Sequence, residues 1–256
     1  MKDLIDEFSM YDDFPVVNPS THSIGTVSMN ISDEEVTFSG KRPNYCVCYI
    51  DMINSTKITD EMSESNIGKY YSIFLNAMAL IAKNFGGKIM KNAGDCLIFY
   101  FPISSDSYNE LVFKDLIECC LTMTLAHDAI NAKLSKQNLP ALNYRISADF
   151  GKLEVARSVT SNNEDFFGST MNLCAKINAK ALPNGIVIGQ SLHRTLKSFT
   201  FYNDYNFEEI GSYPIINNKD YYVYSVTSKE KRIILNPFAR SATENTQIIS
   251  EIQKNE

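Results

Sequence analysis

The order of apolar periodicities predicts a layered α+β or α/β domain, one mixed sheet covered by helices. Three observations carry this. Residues 45–50 (YCVCYI) form a short, nearly continuous apolar run, the pattern of a central strand buried on both faces. Ile67, Tyr70, Tyr71, Phe74, Met78, Ile81 and Phe85 then recur at three- and four-residue spacing, which puts them on one helix face. Residues 88–90 and 97–101 are strand-like and flank Lys91-Asn92-Ala93-Gly94-Asp95, a glycine-bearing turn that reads as a hairpin.

The remaining elements follow in order. Gly86-Gly87 stops the first long helix, and Pro102 ends the second hairpin strand. Residues 110–136 carry Leu111, Leu116, Cys119, Cys120, Met123, Leu125 and Ile130 at helical spacing and predict a second long helix. Residues 144–150 (YRISADF) alternate like a strand, Gly151-Lys152 turns the chain, and 153–156 is expected to return beside it. A helix over 168–181 ends at Pro183-Asn184-Gly185. A strand at 186–188, a short helix at 191–197 and a strand pair at 207–210 and 221–226 close the domain. Residues 1–43, polar and broken by Pro15, Pro19 and Pro43, read as an extension with a short helix at its start and no second domain. Residues 228–256 read as a tail with one weak final helix.

Composition limits the function classes. The 256 residues are 44% hydrophobic and 21% charged, ordinary for a soluble globular chain. A formal net charge of −6 gives no reason to expect nucleic acid or an anionic membrane as partner. No apolar run is long enough for a membrane span, and the acidic start MKDLIDEFSMYDD lacks the apolar core of a secretion signal. A cytoplasmic location is expected. The six cysteines sit mostly in apolar runs without metal-ligand spacing, so they read as buried thiols. His22, His127 and His193 share no useful spacing and read as structural or surface groups.

Asp51 stands at the exit of the first strand and Asp95 in the hairpin turn. Neighbouring strands would bring the two together, and two carboxylates beside a polyphosphate suit Mg²⁺ or Mn²⁺. Each alone is better explained as a turn former or helix cap. From the residues themselves, the pair is a possible metal site and no more.

The motifs around them resemble a known family. VCYIDMINST is similar to the strand-Asp-Ile-x-x-Ser/Thr opening of class III adenylyl and guanylyl cyclases, and GGKIMKNAGDCLIFYF to their Gly-Gly-x-x-x-Lys-x-x-Gly-Asp hairpin. ISADFGKLEVA resembles the family's strand-Gly-strand segment. DFFGSTMNLCAKINAKALPNGIVI resembles its Asp-x-x-Gly-x-x-Val-Asn-x-Ala-x-Arg helix, and GSYPIINNKDYYVYSV its last strand pair. Five blocks in the right order over 44–227 make the resemblance specific.

The resemblance implies an α+β, ferredoxin-like catalytic domain over 44–227 that works as a head-to-tail homodimer. It implies two Mg²⁺ or Mn²⁺ ions on Asp51 and Asp95, and phosphate contacts from the backbone at Met52 and Ile53. Lys91 and Asp165 fall on the adenine-reading pair, whereas guanine-reading members usually carry Glu and Cys there. The implied substrate is ATP, closed to 3′,5′-cyclic AMP and pyrophosphate; GTP or a pyrimidine nucleotide is the alternative. Asn172 falls on the ribose-positioning asparagine. Lys176 stands where the family has a transition-state arginine, and a lysine lacks that planar fork. Ile216 stands where the family has a triphosphate-binding lysine, with Lys219 nearby. These two departures leave open a nucleotide-binding regulatory module with weak or no turnover.

Overall fold

The computed structural model describes residues 13–17, 24–28, 36–103, 109–158, 164–215 and 219–230. The chain divides into two compact units, residues 1–39 with 156–165, and residues 40–155 with 166–256.

In the smaller unit, β1 (Asp13–Val17) and β2 (Ile24–Ser28) form an antiparallel pair. β3 (Val36–Phe38) pairs antiparallel with the end of β8 (Glu154–Ser158), Phe38 opposite Ala156. A third strand, β9 (Glu164–Phe167), completes that sheet. Strands therefore occupy part of the segment expected to be a plain polar extension. The helix expected at its start lies outside the described residues, as does the tail beyond Glu230.

The larger unit is built on a seven-stranded sheet of order β11-β12-β10-β7-β4-β6-β5. Its strands are β4 (Asn44–Met52), β5 (Lys88–Ala93), β6 (Cys96–Pro102), β7 (Tyr144–Lys152), β10 (Ile186–Gly189), β11 (Tyr205–Ile215) and β12 (Lys219–Ser228). The helices are α1 (Ser55–Asp60), α2 (Glu64–Asn84), α3 (Glu110–Leu125), α4 (His127–Ser135), α5 (Ser169–Asn178) and α6 (Gln190–Leu196). The run β4-α2-β5-β6-α3/α4-β7 with spatial order β7-β4-β6-β5, all antiparallel, is the ferredoxin-like arrangement. The pair β7/β10 is parallel, so the whole sheet is mixed.

Strand alternation sorts the two faces. Cys46, Cys48, Ile50 and Met52 of β4, with Tyr144, Ile146 and Ala148 of β7, pack into the main core with α2, α3, α4 and α6. The α2 stripe holds as read, with Tyr70, Phe74, Met78 and Ile81 all buried. Gly87 is needed where α2 returns to the sheet: a Cβ there would lie 2.9 Å from the Ala82 carbonyl oxygen and 3.1 Å from the Phe99 ring. The other face carries Tyr45, Val47 and Tyr49 of β4 and Cys96, Ile98 and Tyr100 of β6, packed with Met171 of α5 and Phe166.

Two expectations are corrected. The helix expected over 110–136 is interrupted at Ala126, whose N–H donates to both the Thr122 carbonyl (3.0 Å) and the Met123 carbonyl (3.2 Å), while the Tyr144 hydroxyl donates to that same Met123 carbonyl. The strand after Gly151 does not return along β7; residues 156–158 pair with β3. All six cysteines are buried free thiols. His127 is bonded to the Leu142 carbonyl and Asn131, and His193 is stacked on Tyr224 at 3.7 Å and bonded to the Tyr202 hydroxyl, both structural roles as read.

Candidate active site

The site begins where β4 ends. Asp51 follows Tyr49 by two residues, so it leaves the strand on the α5 face rather than the main-core face. Antiparallel register places Cys96 directly opposite Asp51 on one side and Arg145 opposite it on the other. Asp95 immediately precedes Cys96, in the turn where Gly94 takes φ +65°, a conformation glycine adopts without strain. The β-ladder thus brings Asp51 and Asp95 together across a strand pair, with Arg145 flanking Asp51.

Charge follows geometry. The Asp51 carboxyl is held above the usual carboxylate range, first by burial, then by the negative charge of Asp95, with Arg145 acting in the opposite sense. The Arg145 Nε is buried without a hydrogen-bond partner. A cationic side chain beside the two carboxylates offsets part of their mutual repulsion. Arg145 escaped the sequence reading; like Ser147 and Asp149 it is a polar residue out of phase with Ile146 and Ala148, and nothing in the strand singles it out.

The turn after β4 is tightly specified. The Ile53 N–H donates to the Asn143 carbonyl at 2.8 Å. That N–H is therefore spent, and of the two backbone positions expected to meet phosphate, Ile53 has only its carbonyl to offer. Met52 is the last residue of β4, opposite Tyr144. Asn54 caps α1 in the left-handed region at φ 58° with no side-chain cap bond. The N–H groups of Ser55, Thr56 and Lys57 have no helical acceptor, as in any first turn. Ser55, the first helical residue, is 6% exposed, and its hydroxyl donates to Asp95 Oδ2. This contact was also missed, since a serine after a strand reads as a cap.

Asn172 and Lys176 stand one turn apart on α5, both exposed. The helix is anchored beneath them: the Asn178 side-chain amide donates to the Tyr49 carbonyl (3.3 Å), the Arg145 carbonyl (3.3 Å) and the Ser147 hydroxyl (3.2 Å). The Tyr213 hydroxyl of β11 donates to the Lys176 carbonyl at 2.9 Å. Lys91 is exposed on β5, opposite Ile98 and just past a register shift. Asp165 lies on β9, in the smaller unit, and Lys91 in the larger. Ile216 lies outside the described residues, and of Lys219 only its pairing with Ile215 is described.

The donor set fits a hard divalent cation. Two like-charged carboxylates held side by side in a half-buried position are stabilised by a cation between them, and oxygen ligands suit Mg²⁺ or Mn²⁺. Among the described residues no group of three or more His, Cys, Asp or Glu could hold a metal ion. A cation here would complete its shell with backbone carbonyls and water, and with ligand phosphates when these are present, the usual habit of Mg²⁺. Among the described residues no helix is long and apolar enough to cross a membrane.

Comparison with known proteins places this geometry. The family model for the adenylate and guanylate cyclase catalytic domain matches residues 39–228. A cytidylate cyclase of Staphylococcus aureus is 23% identical over 218 residues, covering 80% of this chain and 52% of that protein. An adenylate cyclase of Streptomyces coelicolor is 24% identical over 166 residues, 65% of this chain and 36% of that protein. This chain therefore spans about half or less of the curated relatives it matches. Among solved structures, the adenylyl cyclase CyaB of P. aeruginosa superposes with TM-score 0.65 at 18% identity, over 76% of this chain and 98% of that one. The guanylate cyclase domain of RhGC from Catenaria anguillulae, solved with GTP, gives TM-score 0.61 at 14% identity, over 75% and 100%. With the family model covering both carboxylate-bearing turns, α5 and the closing strand pair, this chain belongs to the adenylate and guanylate cyclase catalytic domain family.

Proposed function

We propose that the protein is an active nucleotidyl cyclase that closes ATP to 3′,5′-cyclic AMP. The ribose 3′-hydroxyl gives its proton to solvent as its oxygen attacks the α-phosphorus, the bond from that phosphorus to the bridging β-phosphate oxygen breaks, and pyrophosphate leaves with the electron pair. The observation that carries this reading is the meeting of Asp51 and Asp95 at one end of the sheet with Arg145 beside them.

Asp51 and Asp95 hold two Mg²⁺ or Mn²⁺ ions in this reading. Such ions, when bound there, would supply charge neutralisation to the triphosphate. Arg145, with its unpartnered Nε, neutralises a phosphate at the same place. Asn172 orients the ribose. Lys176 sets its charge against the transition state, as a point charge without the bidentate geometry of arginine. Lys91 donates to adenine N1 and Asp165 accepts from the adenine amino group. Each composite site draws the carboxylates from one protomer of a homodimer and Asn172, Lys176, Lys91 and Asp165 from its partner.

A second base reading has its own support. The S. aureus relative, which covers 80% of this chain, is a cytidylate cyclase. The deciding experiment incubates the protein with each of ATP, GTP, CTP and UTP plus Mn²⁺ and identifies the cyclic product. Cyclic AMP as main product, lost in Asp51→Ala, is the expected result. A cyclic pyrimidine product would replace ATP and keep the reaction. No cyclic product from any of the four, or product unchanged in Asp51→Ala, would overturn the enzymatic reading in favour of a regulatory module.

A further inference from the structure

The Ser55 contact says something about which cation this site accepts. Serine at the first position of a helix is ordinarily free to face solvent or to bond nearby backbone. Here Ser55 is nearly buried and its hydroxyl is turned to Asp95, forty residues further along the chain. Its direction is fixed by the backbone on both sides. Asn54 sits in the left-handed region at φ 58°, and the Ile53 N–H ties the turn to the Asn143 carbonyl at 2.8 Å. On the helical side the Thr59 hydroxyl donates to the Ser55 carbonyl at 2.9 Å. The turn that delivers Asp51 from β4 therefore also delivers a donor to the other carboxylate.

An ionised carboxylate only accepts, and its two oxygens can be used separately. The Ser55 hydroxyl takes one lone-pair direction of Asp95 Oδ2, so Oδ1 is the less encumbered oxygen for a cation. Such a carboxylate is pre-set as a one-oxygen ligand. Mg²⁺ requires near-ideal octahedral geometry with single carboxylate oxygens and retained waters, and Mn²⁺ accepts the same donor set. Ca²⁺ is larger and gains from carboxylates that can open to two-oxygen binding. We infer that Ser55 is a positioning residue that holds Asp95 as a one-oxygen ligand and so biases the site toward Mg²⁺ and Mn²⁺ and against Ca²⁺. This rests on the reading of Asp51 and Asp95 as cation ligands.

The test is direct cation binding, without nucleotide or turnover. Mn²⁺ is titrated into wild type, Ser55→Ala, Ser55→Thr and Asp95→Asn and followed by its electron paramagnetic resonance signal, then displaced with Mg²⁺ or with Ca²⁺. Wild type is expected to bind Mn²⁺ and to release it to Mg²⁺ at lower concentration than to Ca²⁺. Ser55→Ala is expected to bind Mn²⁺ about tenfold more weakly, the low end of what loss of a partner to a metal ligand costs, and to lose the preference. Ser55→Thr keeps the hydroxyl and should keep the wild-type order. Wild type that ignores Mn²⁺, or Asp95→Asn that binds it equally well, removes the metal reading and this inference with it. Binding that depends on Asp95 but is unchanged in Ser55→Ala overturns the role of Ser55 alone. Circular dichroism melts without cation identify a misfolded variant. The wild-type order decides even then: Ca²⁺ displacing Mn²⁺ as readily as Mg²⁺ does refutes the bias.

Discussion

Asp149 gives the sharpest quantitative prediction. It lies four residues after Arg145 on β7 and is 1% exposed. The Tyr221 hydroxyl donates to its Oδ2 at 2.6 Å and the Phe150 N–H to its Oδ1 at 2.8 Å, with a further backbone bond from Leu192. Those bonds favour the charged form, yet burial outweighs them and the carboxyl is pushed from 3.8 up to about 6. The sign follows from linkage. Between the unfolded and folded values the native state holds a proton that the unfolded chain has released, so stability is highest below the lower value and falls as pH rises through the upper one. A shift of about two units at about 1.4 kcal/mol each gives about 3 kcal/mol lost between about pH 4 and about pH 6, with no further change above. The perturbation is Asp149→Asn, which keeps the shape and removes the titration. Urea unfolding of both proteins at each pH gives the stability difference, and subtraction cancels Asp51, whose raised value acts with the same sign. Wild type should lose its advantage over the variant, or fall further behind it, by about 3 kcal/mol across that window. A difference that stays flat, or that moves in favour of wild type as pH rises, refutes the reasoning.

Two predictions concern the site. Arg145→Met should lower turnover by roughly two to three orders of magnitude, the cost of losing one preorganised donor to developing charge, while the melting temperature at neutral pH changes little; steady-state kinetics with Mn²⁺ and calorimetry check the two halves. Lys176→Arg restores the planar guanidinium on the exposed face of α5 and should raise kcat by about tenfold or more with KM little changed; unchanged kcat would remove Lys176 from the transition state.

Much of the fold could be read because burial leaves a periodic trace. The run 45–50 is a central strand because both of its faces are covered, by α2 and α3 on one side and by Met171 and Phe166 on the other. The α2 stripe and the hairpin around Gly94 follow local rules. What could not be read depends on partners distant in sequence. The break at Ala126 adjoins a carbonyl bonded by the Tyr144 hydroxyl, eighteen residues on, and the strand at 154–158 pairs with β3, more than one hundred residues earlier. The site divides in the same way. Asp51 and Asp95 could be suspected because each borders a strand, and strands that pair bring their ends together. Arg145 and Ser55 are invisible without the register that sets Arg145 opposite Asp51 and the turn that aims Ser55 at Asp95.

The contrast between Asp51 and Asp149 shows why perturbation alone does not mark a functional group. Both carboxyls are held above their ordinary range and burial is the leading cause in each, with Asp149 the more deeply buried. A ranking by shift alone would choose Asp149. Its surroundings argue otherwise. A Cβ on Gly189 would lie 2.5 Å from the Asp149 carboxylate, so the strand beside it leaves no room even for a methyl group. Three donors already close on its oxygens, and the Tyr221 hydroxyl that serves it also accepts the Ser191 N–H, so the group ties β7 and β12 to the start of α6. Nothing is left to offer a ligand. Asp51 is only half-buried, its neighbours are a like charge and an arginine with an unpartnered Nε, and the charges around it are unbalanced until something else arrives. A carboxylate whose partners are complete is a brace. A carboxylate whose partners remain incomplete, at the open end of a sheet, is the one we propose for a cation and a triphosphate.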